Sequence, residues 1–159
     1  MMKDRGRLKK MIYRDIKSGD IDEVYKVELS AFSEPWTLSS LREELNNKLS
    51  RYIIAEDENG NIIGYMGAWF IIDEAHITKV AVHKDYRGLG IGDGLLRSFV
   101  EKCMNEKICS MTLEVRASNI VAQNLYKKYG FVLGGIRKEY YNDNKEDALI
   151  MWKQLREVF

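Results

Sequence analysis

Proline occurs once in the 159 residues, at Pro35, and no Pro-rich or Gly/Ser-rich stretch interrupts the chain. With a length in the usual range of one domain, this argues against separate domains on a linker. No period of repeats is visible either. Cysteine and histidine are equally scarce: Cys103, Cys109, His76 and His83 are all there are. Two thiols are too few to staple a fold, and a chain of this length buries a core without staples. No cluster has zinc-ligand spacing, so no metal is expected. Charge of one sign is lacking: 25 Lys and Arg against 24 Asp and Glu give a net +1. A general nucleic-acid binder carries a clear basic excess, so no direct nucleic-acid contact is expected. The longest nearly apolar run, Ile62 to Ile72, falls well short of the roughly 20 residues that a membrane helix needs. The first residues lack the apolar stretch of a secretory signal. These absences lead to the expectation of a cytoplasmic protein with reduced thiols and no membrane association.

What is present is an ordinary globular balance, 45% hydrophobic and 31% charged. Residues 1–10 stand apart, with Lys3, Arg5, Arg7, Lys9 and Lys10 in a segment almost without apolar residues. They read as a basic tail, either solvated or an arm that contacts a ribosome or RNA. Residues 11–159 read as one domain. Met11 to Lys17 is strand-like, and Asp20 is a candidate cap for a helix through about Ser30. Phe32 to Trp36 is a loop. Leu38, Leu41, Leu45 and Leu49 recur at helical spacing behind a possible Thr37 cap. Strands follow at Tyr52 to Glu56, Ile62 to Ile71 and Ala75 to Val82, the first two joined by the turn signal Glu58-Asn59-Gly60-Asn61. A helix spans about Gly92 to Asn105, with Leu95, Leu96, Phe99, Val100 and Cys103 on one stripe. Cys109 to Arg116 alternates as a half-buried strand. A helix from Asn119 to Tyr129 stops at Gly130. Strands near Phe131 to Tyr140 and Glu146 to Lys153 close the chain. The order β-α-α-β-β-β-α-β-α-β-β predicts a mixed α/β fold, a mixed sheet with helices on both faces.

The most informative stretch runs from Val80-Ala81-Val82 through His83-Lys84-Asp85-Tyr86 to Arg87-Gly88-Leu89-Gly90-Ile91-Gly92. A buried strand ends, a glycine-rich turn follows, and an amphipathic helix begins. Unpaired N–H groups at a helix start bind anions, and glycine lets a phosphate come close. Arg87 adds a donor. The dinucleotide-binding spacing fails because Asp93 stands where a glycine is needed. The Walker pattern fails because no Gly-Lys-Ser/Thr closes the loop. A purely structural turn stays open at this point.

Arg87-Gly88-Leu89-Gly90-Ile91-Gly92 resembles the pyrophosphate loop of the GCN5-related N-acetyltransferases (GNAT). Leu113-Glu114-Val115-Arg116-Ala117-Ser118-Asn119 and Leu125-Tyr126-Lys127-Lys128-Tyr129-Gly130-Phe131 resemble the next blocks of that superfamily. Phe32-Ser33-Glu34-Pro35-Trp36, Ile136-Arg137-Lys138-Glu139-Tyr140-Tyr141 and Glu146-Asp147-Ala148-Leu149-Ile150-Met151 look like its RimI branch, which acetylates the N-terminal alanine of a small-subunit ribosomal protein. The resemblance covers nearly all of residues 11–155. It implies the GNAT fold, a central, mostly antiparallel mixed sheet in a single domain, and acetyl-CoA as co-substrate without a metal. It also implies direct transfer of acetyl to a protein N-terminal amine, with no acyl-enzyme.

By the same resemblance, the backbone of Val80, Ala81 and Val82 pairs with the pantetheine arm. Arg87, Gly88, Leu89, Gly90, Ile91 and Gly92 hold the pyrophosphate, and Asn119 touches the cofactor. As a helix cap Asn119 reads equally well. Glu114 is implied as the general base, directly or through water; on its own it reads as a surface carboxylate paired with Arg116. Tyr126 is implied as the general acid toward the CoA sulfur; from periodicity alone it is a core aromatic. Phe32, Pro35, Trp36, Tyr140 and Tyr141 match the peptide-binding flanks, or else ordinary packing. Lys84 and Asn142 stand where the superfamily and the branch often have proline. His76 and His83 are given no catalytic role. A free α-amine titrates near 7.7–8 and lysine near 10.4, a gap of about 2.5 units or roughly 3.4 kcal/mol. A modest base therefore suits an N-terminal amine. Lysine or small-molecule acetylation, a non-catalytic acetyl-CoA-binding module and a ribosome-associated interaction protein are the other readings.

Overall fold

A computed structural model describes residues 10–156. The basic tail expected over residues 1–10 lies outside the described residues except for Lys10, which is exposed. Seven strands hydrogen-bond in the order β1-β2-β3-β4-β5-β7-β6: β1 is Ile12–Asp15, β2 Ser50–Glu56, β3 Ile62–Ile71, β4 Glu74–Val82, β5 Ser110–Arg116, β6 Val132–Arg137 and β7 Ala148–Gln154. Pairing is antiparallel for β1·β2, β2·β3, β5·β7 and β6·β7, and parallel for β4·β5. The helices are α1 (Ile21–Ala31), α2 (Leu38–Asn46), α3 (Ile91–Asn105) and α4 (Ile120–Lys128). Element order and sheet type are those expected from the sequence. The described residues form two compact units, 10–69 with Thr78–Glu101, and Phe70–Ile77 with 102–156.

In the first unit, Val24 and Val27 of α1 and Leu41 of α2 are fully buried against Tyr52, Ile54, Ile62, Tyr65 and Ala81. Side chains of this size contribute about 1.5–3 kcal/mol each on full burial. Thr37 caps α2 as expected, its hydroxyl accepting the Ser40 N–H at 3.1 Å. Two local expectations change. Asp20 does not cap α1 with its side chain; the carboxylate is held by Arg14 at 2.7 and 3.0 Å and by the Lys17 N–H. Helix α2 ends at Asn46, because the Asn47 side chain accepts the Leu49 N–H and turns the chain. Leu49 is consequently exposed and does not extend the apolar stripe. The β2–β3 turn is built by Asp57, whose Oδ1 accepts the Asn59 and Asn61 N–H groups, with Gly60 at φ +83°.

In the second unit, β5 buries Met111, Leu113 and Val115 and turns Ser110, Thr112, Glu114 and Arg116 to the other face. Phe131, Ala148, Met151 and Cys103 complete this core. Gly130 takes φ +87° and ends the chain's helical course after α4, as expected from the sequence. The last two strands are shorter than expected. Glu139 and Lys145 take positive φ, and Tyr141 and Glu146 pair across the connection, so residues 138–147 form a structured loop. A bulge between Leu133 and Gly135 interrupts the β6·β7 ladder.

Candidate active site

In the first unit, Ala81 is buried and its neighbours Val80 and Val82 are half-buried, the alternation of a strand with one covered face. The chain then makes a single 3-10 turn, Lys84–Tyr86. His83 Nδ1 accepts the Asp85 N–H at 3.2 Å, and the Lys84 N–H donates to Ser30 Oγ at 2.9 Å. A proline at position 84 would have no such proton to give. Gly88 and Gly90 take φ +77° and +81°, conformations that a side chain resists. Helix α3 begins at Ile91, and its first amides have no acceptor within the helix. Arg87 is exposed and donates to the Ala31 carbonyl at 3.2 Å. Leu89 is half-buried beside it in the chain, and Gly92 lies in the first turn of α3.

The same unit contains a buried polar cluster at the expected aromatic loop. Glu28 is 0% exposed. Its carboxylate accepts from Lys79 Nζ at 2.7 Å, the Trp36 N–H at 3.0 Å and the Tyr65 hydroxyl. The Lys79 ammonium lies 3.6 Å from the Trp36 ring centroid and 4.7 Å from that of Phe32. Burial alone would raise the Glu28 carboxyl, but Lys79, Tyr65 and the Trp36 N–H hold it below the usual carboxylate range. Burial pulls Lys79 below the usual lysine range against the attraction of Glu28. Phe32 and Trp36 are thus held by their own chain, with Pro35 half-buried between them in sequence.

In the second unit, Glu114 does not pair with Arg116. Its Oε2 meets His76 Nε2 at 2.6 Å, with Glu114 15% and His76 30% exposed at the side chain. Its other oxygen accepts no hydrogen bond among the described residues. Arg116 is instead bound by Asp143 at 2.9 Å and Glu146 at 3.3 Å, and it stacks 3.9 Å from the Tyr141 ring centroid. Tyr140 packs edge-on to Tyr141 at 5.1 Å. Glu146 Oε2 accepts the Ser118 N–H, and Gln123 donates to the carbonyls of Arg116 and Ala117, so the β5–α4 connection is pinned at both ends. The Asn119 side chain caps α4 by accepting the Ala122 N–H at 3.1 Å.

Tyr126 is 8% exposed and packs 5.6 Å from the Phe131 ring. Its hydroxyl makes no hydrogen bond among the described residues. Burial, and next the neighbouring Tyr141, push its phenol up to about 12. Both cysteines are free, and burial raises the Cys103 thiol to about 12, so it is inert as a nucleophile. Among the described residues no group of three or more His, Cys, Asp or Glu side chains is arranged to hold a metal.

The acetyltransferase (GNAT) family matches over residues 21–131. The chain belongs to that family. This acetyltransferase is 46% identical over 149 residues to a Bacillus subtilis relative named as a candidate ribosomal protein bS18-alanine N-acetyltransferase, covering 93% of this chain and 98% of the relative. It is 32% identical over 139 residues to the Escherichia coli enzyme of that name, covering 86% and 92%. The crystal structure of the E. coli ribosomal-protein-S18-alanine N-acetyltransferase superposes with a TM-score of 0.86 at 27% identity, over 94% of this chain and 97% of that one.

Sequence reasoning missed His76, Glu28 and Lys79. For Glu28 a signal existed: it lies four residues after Val24 and next to Val27 on a helix that buries both. For His76 the signal is only that it shares a strand face with Thr78 and Val80. Its meeting with Glu114 depends on a parallel register that spacing does not encode.

Proposed function

We propose that this acetyltransferase moves the acetyl group of acetyl-CoA to the N-terminal α-amine of a protein, and that its substrate is the N-terminal alanine of ribosomal protein bS18. The observation that carries this reading is the 46% identity to the B. subtilis relative over nearly the whole of both chains. Acetyl-CoA supplies an acetyl group already activated as a thioester. The loop from Arg87 to Gly92 suits its diphosphate. Two glycines at positive φ hold the backbone in an open turn, and at Gly90 nothing lies within 4 Å of where a Cβ would sit. The amides that open α3, which have no acceptor within the helix, and the Arg87 guanidinium are the donors that an anion requires. The amides and carbonyls of Val80, Ala81 and Val82 suit the amide-bearing pantetheine arm, because β4 pairs with β5 only over Glu74–His76.

Glu114 serves as the base. The open oxygen of its carboxylate accepts a proton from the incoming α-ammonium, directly or through water. Tyr126 keeps its proton on Oη throughout the physiological range, since its phenol titrates at about 12. It is therefore a donor to the departing sulfur and not a base. Asn119 contributes through its cap to the start of α4, the helix that carries Tyr126. Phe32, Pro35, Trp36, Tyr140 and Tyr141 flank the peptide, with rigid rings and hydroxyls suited to an extended backbone.

The test is intact-mass spectrometry after incubation with acetyl-CoA. One peptide carries the bS18 N-terminus beginning with alanine, and a second is the same peptide with its α-amine blocked and an internal lysine. Labelling of the first alone supports the reading. Labelling of the second alone overturns the α-amine assignment while leaving the family assignment intact.

A further inference from the structure

We propose that His76 is a positioning residue for Glu114, holding one carboxylate oxygen so that the other faces the amine. This rests on the reading of Glu114 as the base. The parallel register of β4 with β5 sets His76 opposite Thr112, the last pair of that ladder. Paired residues share a sheet face, and the next residue of β5 on that face is Glu114. The Nε2–Oε2 separation of 2.6 Å requires a proton between the two atoms. Because the carboxylate is acceptor-only while ionised, that proton belongs to His76 Nε2.

Among the described residues no other group is hydrogen-bonded to the Glu114 carboxylate. Glu146 is bound by the Arg116 guanidinium and the Ser118 amide. Glu114 accepts from His76 alone among the described residues. Without the imidazole its carboxylate is free to rotate about the side chain. A surface ion pair of ordinary kind contributes little to stability. A bond that fixes the plane of a base instead acts on kcat, since a misplaced base loses reach to the proton it must take.

The experiment compares kcat and KM of the full chain with His76→Ala, His76→Gln, Glu114→Gln and the double variant His76→Ala/Glu114→Gln, on acetyl-CoA and the alanine peptide. His76→Ala is expected to lower kcat on the order of ten- to a hundredfold and to leave KM for acetyl-CoA within about twofold. His76→Gln offers an amide N–H of similar reach and is expected to recover most of the rate. The double variant is expected to be no slower than Glu114→Gln alone, because the histidine acts through that carboxylate. Should His76→Ala fail to fold, His76→Asn, whose amide is too short to meet Oε2, takes its place. Wild-type kcat in the alanine variant beside a slow Glu114→Gln overturns the positioning role alone. Effects that multiply in the double variant, or a glutamine variant as slow as alanine, overturn it equally. Wild-type turnover in Glu114→Gln overturns the base assignment and this proposal with it.

Discussion

Lys79 and Glu28 form an ion pair of 2.7 Å in which the carboxylate is wholly removed from solvent. The pair is completed by the Trp36 N–H and by the Trp36 ring beneath the ammonium. Removing one partner strands a buried charge. Lys79→Met is therefore expected to cost about 3–5 kcal/mol in urea unfolding, and Glu28→Gln/Lys79→Met together much less. Because the pair holds Trp36, the single variant is also expected to raise KM for the peptide while KM for acetyl-CoA stays near wild type.

The titration shifts predict the pH range of stability. Glu28 titrates below its unfolded value, so its contribution is complete above about pH 4.3 and is lost as pH falls further. Tyr126 titrates at about 12, above the unfolded phenol near 10. Its contribution is complete below about pH 10 and declines as pH rises through 12. Buried Tyr52 and Tyr65 are raised as well and act in the same direction. Thermal unfolding followed from neutral to alkaline pH should show Tm falling above about pH 10, less steeply in Tyr126→Phe.

Gly90→Ala separates backbone conformation from crowding. Nothing lies near the added methyl, but φ is +81°. The strain of roughly 1–2 kcal/mol should shift the turn and weaken acetyl-CoA binding by about tenfold in calorimetry. Gly19→Ala, with equal room and no positive φ, is the matched control and should bind normally.

Asn119→Ala removes the cap of α4 and is expected to destabilise the chain by about 1 kcal/mol in chemical denaturation. Asn119→Asp restores the acceptor and should restore stability.

The elements were legible in the sequence because their periodicities are local. The alternation from Ser110 to Arg116 and the glycine signals at 60, 88, 90 and 130 correspond to observed strand and positive-φ positions. Boundaries failed where a side chain competed with the backbone, as Asn47 does after α2 and Asp20 before α1. Glu114 and Tyr126 are singled out by motif blocks, not by periodicity, which favours ordinary surface and core roles. The long-range polar pairs are not legible in the sequence. Glu28 meets Lys79 across 51 positions through the packing of α1 against β4, and His76 meets Glu114 across 38 through the register of β4 with β5, neither of which local spacing encodes.

Strand β6 occupies the outer end of the ladder, with Val132, Leu133 and Ile136 each more than half exposed. An uncovered edge of that composition invites an intruding strand. The bulge at Leu133–Gly135 throws the backbone donors on either side out of phase, so a foreign strand finds only short stretches to zip against. Arg137 and Lys138 add charge at the far end. Straightening this kink, for instance by deleting Gly134, would turn a sparingly sticky border into a template for fibrous self-assembly.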